Sequence, residues 1–446
     1  MGWGMGMGIG WAAKSMSSIV KGIVDTFKAY VLGVGGTFEA ESCLKGTLNK
    51  LDTSGLLNKA TLITTPNGFK SSRLYSVIPG NTAGDMSYVR ATTATRVNSA
   101  GLVEIVATNT PRINYDTADG CPSVLTEPQA TNVLTWSEAF DNPSWINNGC
   151  IITANSTTSP SGALNADLLT GTSGGFGIVK FSTWTATNKT ASCYAKIGST
   201  NLFKIENGSN GANCLFNLST QVVTNSNGFS GTMTYIGNGW YRCVAVDTLA
   251  RTGTFSLSVN AANESVYIWG AQLGAGPTQT SYIPTTSAAV TRNTDLITKS
   301  NLYTNGFITS AGGTWFIHLN NNVPLFRTAG GGTGISLSTT SSGNPTSGLC
   351  IRHPSGTAQL RLTIFSNYNG LGYGTMEDNC KLALKWDGTT LNIFENGIKV
   401  RNNIPFTVTQ MEFFRTNDTD IRKFCKSNIL FPMPLTDEEC INLTTL

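Results

Sequence analysis

The chain has 446 residues, and its net charge of +4 results from 30 basic and 26 acidic side chains. This length predicts two or three domains, each able to bury its own core. The charged fraction of 13% is about half of the roughly 25% usual in soluble domains. Thr, Ser, Asn and Gly are abundant instead, which indicates an all-β protein. No Lys/Arg-rich run is present, so nucleic-acid binding is not expected.

The cysteine and hydropathy patterns limit the class of protein further. Ten cysteines occur without a Cys-x-x-Cys pair, and only two histidines accompany them, so a zinc site is not predicted. We expect mostly reduced, buried thiols in a protein assembled inside a cell. No apolar run reaches the roughly 20 residues that span a bilayer, and no secretory signal pattern opens the chain. Membrane insertion is therefore not expected.

The first segment, residues 1–36, combines a glycine-rich peptide with a helix. Glycine alternates there with large apolar side chains, which gives two-sided periodicity without a local reason for order: Trp3, Met5, Met7, Ile9 and Trp11. We predict an anchor that docks into a neighbouring subunit. The alternative is that the peptide folds back on its own domain.

Residues 12–32 carry apolar side chains at spacings of three and four, which predicts an amphipathic helix. Glycines from Gly33 onwards end it. The basic face is too sparse for membrane-surface binding, so the helix is expected to pack against sister chains or the body of the protein.

Two stretches follow that differ in regularity. Residues 37–130 break into short strands around turns, which predicts an irregular linker region. Residues 131–292 show short alternating strands separated by Asn-Gly, Ser-Gly and Thr-Gly turns, as antiparallel sandwiches do, and a jelly roll fits this pattern best. Its closing strand, 266–273, is expected to place the Trp269 ring on the surface. Pro284 then favours an extended connector.

The last module, residues 293–446, begins with a strand at 313–319. Asp387-Gly388 and Asn396-Gly397 predict tight hairpin turns, because these residues tolerate positive φ. Thr436 precedes three acidic residues and predicts a short capped helix at the end of the chain.

Several segments together resemble bacteriophage fibre and spike proteins. They are 86–104, 111–116 and 121–134, then Leu134-Thr-Trp-Ser-Glu-Ala-Phe, Gly239-Trp-Tyr-Arg, and the exit Trp269-Gly-Ala-Gln-Leu-Gly-Ala-Gly with the connector to Arg292. The central module resembles a carbohydrate-binding-module jelly roll. The segment 386–397 and the final helix resemble a laminin-G or concanavalin-like sandwich. The resemblance implies tandem jelly-roll or β-sandwich domains behind a short N-terminal anchor peptide and an amphipathic helix.

The resemblance also implies a function. We expect a virion protein that is assembled in the host cytoplasm, released by lysis, attached to other virion proteins by its N-terminus, and active in adsorption by binding host cell-surface glycans. A homotrimer is expected, since such fibres usually thread three chains. Two alternatives stay open: a structural or decorating protein, such as a head fibre or tail-hub component without a sugar ligand, and a capsule depolymerase.

Catalytic patterns are sparse in the sequence. A glycosidase needs two carboxylates across a cleft, and no pattern pairs the acidic residues. No Gly-x-Ser-x-Gly elbow is present. His318 lies in an apolar strand, which is typical of a core or face residue rather than a base. The sequence therefore predicts that the chain is not an enzyme.

Candidate binding residues follow from chemistry and from the resemblance. Aromatic rings stack on the apolar faces of sugars, and five rings are the glycan-binding candidates: Trp184, Trp240, Tyr241, Tyr368 and Tyr373. A structural Ca²⁺ is common in both sandwich families, and its candidate oxygen ligands are Glu138, Asp141 and Asp295. No other cofactor is implied.

Overall fold

Strands dominate the architecture seen in a computed structural model of the chain. The structure describes residues 17–115, 119–172, 177–184, 188–209, 211–249, 251–276, 278–320, 334–341, 347–352, 360–366, 369–376, 379–407, 410–416 and 423–445. Within these ranges it is mostly β, with several sheets arranged as tandem β-sandwiches. The predicted all-β fold class is confirmed.

The N-terminal part holds two helices and nine strands. Their bounds are α1 Ser18–Gly33, β1 Thr37–Phe38, α2 Glu41–Thr53, a 3₁₀ turn Leu57–Lys59, β2 Leu62–Lys70, β3 Arg73–Ile78, β4 Met86–Val89, β5 Ala94–Val97, β6 Val103–Val106, β7 Arg112–Tyr115, β8 Pro122–Thr126 and β9 Ala130–Asn132.

Helix α1 begins where Ser17 accepts a hydrogen bond from the Val20 amide, and it buries Val20, Val24, Phe27 and Val31. This apolar face packs on α2 and on β1 to β3 of the same chain. The predicted helix is therefore present, and its apolar face packs against the rest of the same chain. Neither α1 nor any other helix in the described ranges has the length and apolarity needed to cross a membrane.

The central part forms a sandwich of two six-stranded antiparallel sheets. Its strands are β10 Ile146–Asn148, β11 Cys150–Thr158, β12 Leu164–Gly171, β13 Gly177–Trp184, β14 Asn188–Ile197, β15 Leu202–Asn207, β16 Ala212–Asn217, β17 Val222–Asn225, β18 Phe229–Gly237, β19 Trp240–Asp247, β20 Gly253–Ser258 and β21 Ser265–Ala275.

One central sheet has the strand order β10-β13-β20-β15-β16-β17, and the other β11-β12-β21-β14-β19-β18. Alternate residues of both sheets fill one core, in which Phe203 and Phe255 of the first sheet meet Cys243 and Ile268 of the second. The outer face of the second sheet is covered in turn by the β5–β6 hairpin and by Tyr282. The part of the outer face around Trp269 is therefore buried, whereas Ile151 of β11 and Tyr235 of β18 stay exposed.

The described C-terminal part contains twelve further strands, among them those that pair with the N-terminal strands, and a closing helix. Their bounds are β22 Val290–Arg292, β23 Leu296–Lys299, β24 Gly313–Asn320, β25 Ile335–Ser338, β26 Gly348–Arg352, β27 Leu360–Ser366, β28 Asn369–Met376, β29 Asn379–Trp386, β30 Thr390–Glu395, β31 Ile398–Pro405, β32 Phe413–Thr416, β33 Lys423–Phe431 and α3 Asp437–Thr445.

The C-terminal sandwich has two layers with a common core. One layer runs β31-β30-β29-β24-β33-β2, and the other runs β4-β23-β32-β25-β26-β27-β28, with β3 hydrogen-bonded to both β2 and β4. Trp315 and Leu384 of the first layer face Leu337 and Phe414 of the second. The outer face of the first layer carries the three helices, which bury Phe316, Ala383, Phe394 and Ile429.

The stretch 37–130, predicted as a linker region, needs correction at its strands. β2 pairs with β33, β8 pairs with β33, and β4 pairs with β23, so these short strands belong to the C-terminal sandwich. The pairing partners lie between about 210 and about 370 residues further along the chain. Local periodicity does not report such pairings, because each of these strands is short and its partner is distant.

A buried ionic cluster joins the segments that enter and leave the central sandwich. We call this set the arginine cluster: Arg90, Arg112, Arg292, Glu127 and Asp295. Arg90 Nη1 donates to Asp295 Oδ1 over 3.0 Å, Arg112 Nη1 donates to Glu127 Oε2 over 2.8 Å, and Arg112 also pairs with Asp295. Every one of these side chains is almost fully buried. Since each carboxylate accepts from more than one donor, both carboxylate charges are paired within the protein.

Two local predictions for the last module are confirmed, whereas at Asp387-Gly388 only Gly388 has a positive φ, of +91°. Asn396 and Gly397 have φ of +47° and +83°, as the predicted tight turn requires. Thr436 Oγ1 accepts from the Glu439 amide over 3.1 Å, and Glu439 Oε2 accepts from the Thr436 amide over 2.8 Å. This reciprocal pair is a capping box at the start of α3.

Candidate ligand-binding cavity

A cavity of about 570 Å³ lies between helix α2 and the outer face of the C-terminal sandwich. Strands β24, β29 and β33 form its floor, the segment 119–122 forms one side, and Leu443 of α3 closes an end. Ligand-binding clefts of proteins range from roughly 300 to 1,000 Å³. The cavity therefore has the size of a small-ligand site.

Helix α2 is held above the sheet by apolar contacts and by one buried amide. Leu44, Leu48 and Leu51 recur at helical spacing and are buried against the outer face of the sandwich. The helix starts after Ala40, whose φ is +53°. Asn67 Nδ2 on β2 donates to the Ala40 carbonyl over 2.9 Å and thus fixes this turn. The helix forms one wall of the cavity as a result.

His318 lies on the floor of the cavity because of strand alternation. In β24, Trp315 and Ile317 face the sandwich core, so Phe316 and His318 face the helices. The register places His318 opposite Lys381 of β29 on one side and Ser427 of β33 on the other. The residue therefore has a polar neighbour on each flanking strand.

Lys426 reaches the same cavity through an irregularity in β33. His318 pairs with Ser427, but Leu319 pairs with Cys425, so Lys426 is an extra residue in that strand. Such a β-bulge re-aims a side chain. Without it, alternation would place Lys426 on the side of the sandwich core. With it, both Lys426 and Ser427 line the cavity.

The cavity carries an excess of positive charge. Among the described residues that line it, Lys50, Lys381 and Lys426 are cationic and Asp119 is the carboxylate. Asp119 pairs with Lys426. Lys381 Nζ lies 3.5 Å from the Thr445 carbonyl oxygen. On the neighbouring strand β24, the residue opposite Lys381 is His318.

The lysines and burial change the protonation of the cavity. Burial, followed by the field of Lys381, lowers the pKa of His318 to about 4, so the imidazole is neutral at pH 7. Burial, followed by Lys50, also lowers the pKa of Lys381. Both shifts reflect like charges held together at a partly buried site. A bound anion would relieve that repulsion.

A disulfide at the rim fastens the helix to the side wall. Cys43 of α2 and Cys121 just before β8 are bonded, with Cα atoms 5.8 Å apart and 78 residues between them in sequence. The prediction of reduced thiols is wrong for this pair. It is confirmed for buried thiols of the central core such as Cys193 and Cys243. No spacing in the amino-acid sequence marks Cys43 and Cys121 as partners.

The structure places the predicted glycan-binding rings apart from the cavity. Trp240 is 1% exposed, and its indole donates to the Thr158 carbonyl, so that ring belongs to the core. Tyr241 is half-buried and packs against Tyr235. The backbones of Trp184 and Tyr373 lie in β13 and β28, but their side chains are outside the described residues, as is all of Tyr368.

The ring of Trp269, expected on the surface, is also buried, at 2% exposure. It packs on Tyr194 and Tyr282, with centroids 5.3 and 4.9 Å away. The chain that follows β21 folds back over the sheet and covers it. The anchor candidates Trp3, Met5, Met7, Ile9 and Trp11 lie outside the described residues and stay a prediction.

The candidate calcium ligands are not brought together. Asp295 belongs to the arginine cluster, while Glu138 accepts from Tyr282 and Asn165 over 3.0 and 3.2 Å. Asp141 is exposed. In the described ranges, no group of three His, Cys, Asp or Glu side chains is arranged to hold a metal ion.

Sequence reasoning missed most of the cavity. The spacing of Leu44, Leu48 and Leu51 would have predicted α2. Alternation along 313–319 would have placed His318 and Trp315 on opposite faces of the strand. No sequence pattern marks the bulge at Lys426, nor the contact of α2 with the distant strands. These are consequences of register and tertiary packing.

Comparison with known proteins gives no family for this chain. No protein-family model and no curated protein matches it. Among solved structures, it is similar to a mutant of Trypanosoma rangeli sialidase displaying trans-sialidase activity, at 12% identity over 30% of this chain and 22% of that chain, with a TM-score of 0.24. It is also similar to Trypanosoma rangeli sialidase in complex with the inhibitor DANA, at 9% identity over 85% of this chain and 70% of that chain, with a TM-score of 0.27.

A further similar structure is fructan 1-exohydrolase IIa from Cichorium intybus in complex with 1-kestose, at 10% identity, 78% and 72% coverage, and a TM-score of 0.21. The prediction that this chain is not an enzyme is contradicted by the sialidase matches and is not kept. At these TM-scores the likeness carries no argument for a shared fold or for a particular reaction.

Proposed function

We propose that this chain is an attachment protein of a bacteriophage fibre or spike. It joins other virion proteins through its N-terminal segment and binds glycans of the host surface. The proposal of glycan binding rests on the cavity beside helix α2, which we call the α2 cavity. It combines an apolar floor with lysine, serine and asparagine donors. Sugars present the matching chemistry, since their rings have apolar C–H faces edged by hydroxyl groups.

The two sandwiches suit this role because they are firmly connected. The arginine cluster fixes the segments that enter and leave the central sandwich, and β22 pairs with β9 at the same junction. The location on a virion is inferred from the segments whose sequence resembles fibre proteins. The homotrimer stays a prediction.

A second candidate is a structural or decorating virion protein without a sugar ligand. The burial of Trp240 and Trp269 favours it, because these large rings are unavailable for stacking on a sugar. Under this alternative, the cavity would be unnecessary for attachment, and the loss of the protein would impair particle assembly instead of adsorption.

The test uses the full chain, because removing residues 1–130 would take β2, β3, β4 and β8 out of the C-terminal sandwich. Labelled protein is added to a panel of bacterial strains before and after their surface polysaccharide is stripped. Sugar release is assayed in the same tubes. We expect saturable binding that disappears with the polysaccharide. Equal binding to stripped and unstripped cells of every strain would contradict the proposal.

Two tryptophan variants locate the site. In Gly46→Trp, the new side chain grows from α2 into the cavity, and an added Cβ at Gly46 meets nothing within 4 Å, so the helix is retained. Gly22→Trp on α1 is the matched control, since its Cβ is equally unobstructed and it lies outside the cavity. We expect Gly46→Trp to abolish cell binding and Gly22→Trp to preserve it.

A further inference from the structure

We propose that the α2 cavity binds an acidic saccharide and recognises its carboxylate with the lysines that surround His318. This inference rests on the proposed function and narrows it to one class of glycan. Hexuronate-containing polysaccharides are the ligands with this chemistry. The inference depends on four features of the cavity: the placement of its lysines, the shortage of carboxylates, the neutral His318 imidazole and the apolar part of the lining.

The first element is the placement of the charges. Lys381 lies directly across from His318 on β29, and Lys426 is turned into the cavity by the bulge of β33. Lys50 reaches from the last turn of α2, on the opposite wall. Three different elements thus direct ammonium groups into one volume.

The second element is the shortage of carboxylates. Asp119 is the acidic residue among those described around the cavity, and it pairs with Lys426 at one side. Lys50 and Lys381 carry charge that Asp119 does not offset. The arginine cluster shows the contrasting arrangement, in which three arginines share Glu127 and Asp295. A carboxylate on a ligand would complete the cavity in the same way.

The third element is the neutral imidazole between the lysines. The lowered pKa keeps His318 uncharged at pH 7, so one ring nitrogen donates and the other accepts a hydrogen bond. A sugar hydroxyl next to a ring carboxylate offers both functions. Sulfate, by contrast, carries no proton to donate at pH 7. No inorganic anion has an apolar face.

The fourth element is the apolar part of the lining. Phe316, Ile429 and Leu443 contribute to the floor and end of the cavity. They provide contact for the C–H face of a pyranose ring. The cavity therefore matches a ligand that joins an apolar ring face, hydroxyl groups and one carboxylate.

The experiment measures binding of the full chain to hexuronate-containing bacterial polysaccharides, each used in native form and after chemical reduction of its carboxylates to alcohols. We expect a loss of affinity of at least about tenfold on carboxyl reduction, consistent with one charge-assisted interaction. Lys381→Gln and Lys50→Gln should each weaken binding of the native polymer by a similar factor. Lys45→Gln, on the same helix but outside the cavity, is the matched control and should bind as the wild type does.

The outcomes separate this inference from the proposed function. If native and reduced polymers bind equally and Gly46→Trp blocks both, the cavity binds glycans but the inference of an acidic ligand is overturned. If sulfate or inorganic phosphate displaces the polymer at concentrations equal to those of its carboxylates, the site is a general anion site and the saccharide inference fails. If polysaccharide binding survives Gly46→Trp, the cavity is not the binding site, and both statements about it fall.

Discussion

Two charged regions of this molecule use similar residues in opposite ways. The arginine cluster is closed to solvent, and Glu127 and Asp295 each accept from arginines and from backbone or hydroxyl donors. Among its described residues, the cavity holds three lysines beside one carboxylate, and it opens between α2 and the sheet. The arginine cluster thus pairs three guanidinium groups with two carboxylates, whereas the described lining of the cavity pairs three ammonium groups with one carboxylate, and a ligand carboxylate would reduce that larger excess. The following predictions test that distinction, beginning with the largest expected effect.

Asp295→Asn should destabilise the protein by about 3 to 5 kcal/mol, because it leaves buried arginines without their shared carboxylate. Burial would raise the pKa of Asp295, but Arg112 and Arg292 outweigh it and hold the pKa below its usual value. Urea unfolding measures the loss. Asp25→Asn, which removes an exposed partner of Lys21, is the control and should change the free energy of unfolding by about 0.5 kcal/mol or less. A loss at Asp295 as small as that of the control would show that the cluster does not stabilise the junction.

Reduction of the Cys43–Cys121 disulfide should cost about 2 to 4 kcal/mol, because the bond closes a long loop in the unfolded chain. It should also weaken glycan binding, since α2 is the wall that the bond fastens. Unfolding with and without reductant measures the first effect. The double variant Cys43→Ala and Cys121→Ala is the control, because reductant should leave its stability unchanged. A wild-type protein insensitive to reductant would contradict the prediction.

His318 should make the free energy of unfolding fall as the pH decreases from about 6.5 to about 4. The unfolded imidazole binds a proton near its usual pKa of roughly 6.5, whereas the folded one does so at about 4. The unfolded state therefore takes up the proton first, and the contribution is fully present only above the unfolded pKa.

His318→Gln should flatten that part of the pH profile in urea unfolding measured from pH 7.5 to 4.5. Lys50, Lys381 and Lys426 face the imidazole together with Asp119, and the pKa of Asp119 is lowered from its usual value. Parallel profiles for the variant and the wild type would rule out the imidazole as their cause.

Lys381→Gln should have the smallest effect on stability, within about 0.5 kcal/mol and with the sign of a gain, because it removes a charge repelled by Lys50 and Lys426. Thermal or urea unfolding measures it. The same variant should lose glycan affinity, so stability and binding change in opposite directions. A clear loss of stability would mean that Lys381 has a structural role, as the residues of the arginine cluster do.

Local features of the fold were predictable from the sequence alone. The turn at Asn396-Gly397, the cap of Thr436 on α3 and the amphipathic face of α1 each depend on residues a few positions apart. The all-β class follows from composition and alternation in the same way. These features are determined by backbone preferences and short-range hydrogen bonds, which the order of residues states directly.

The tertiary structure decided the rest, and above all the cavity. β2 and β8 join a sheet whose other strands lie near the end of the chain, the disulfide unites Cys43 and Cys121 across 78 residues, and the β33 bulge turns Lys426 outwards. Packing also buried Trp240 and Trp269, whose ring chemistry alone suits either a core or a surface. The physical reason is that register and burial depend on partners distant in sequence, and a one-residue shift reverses the face on which a side chain lies.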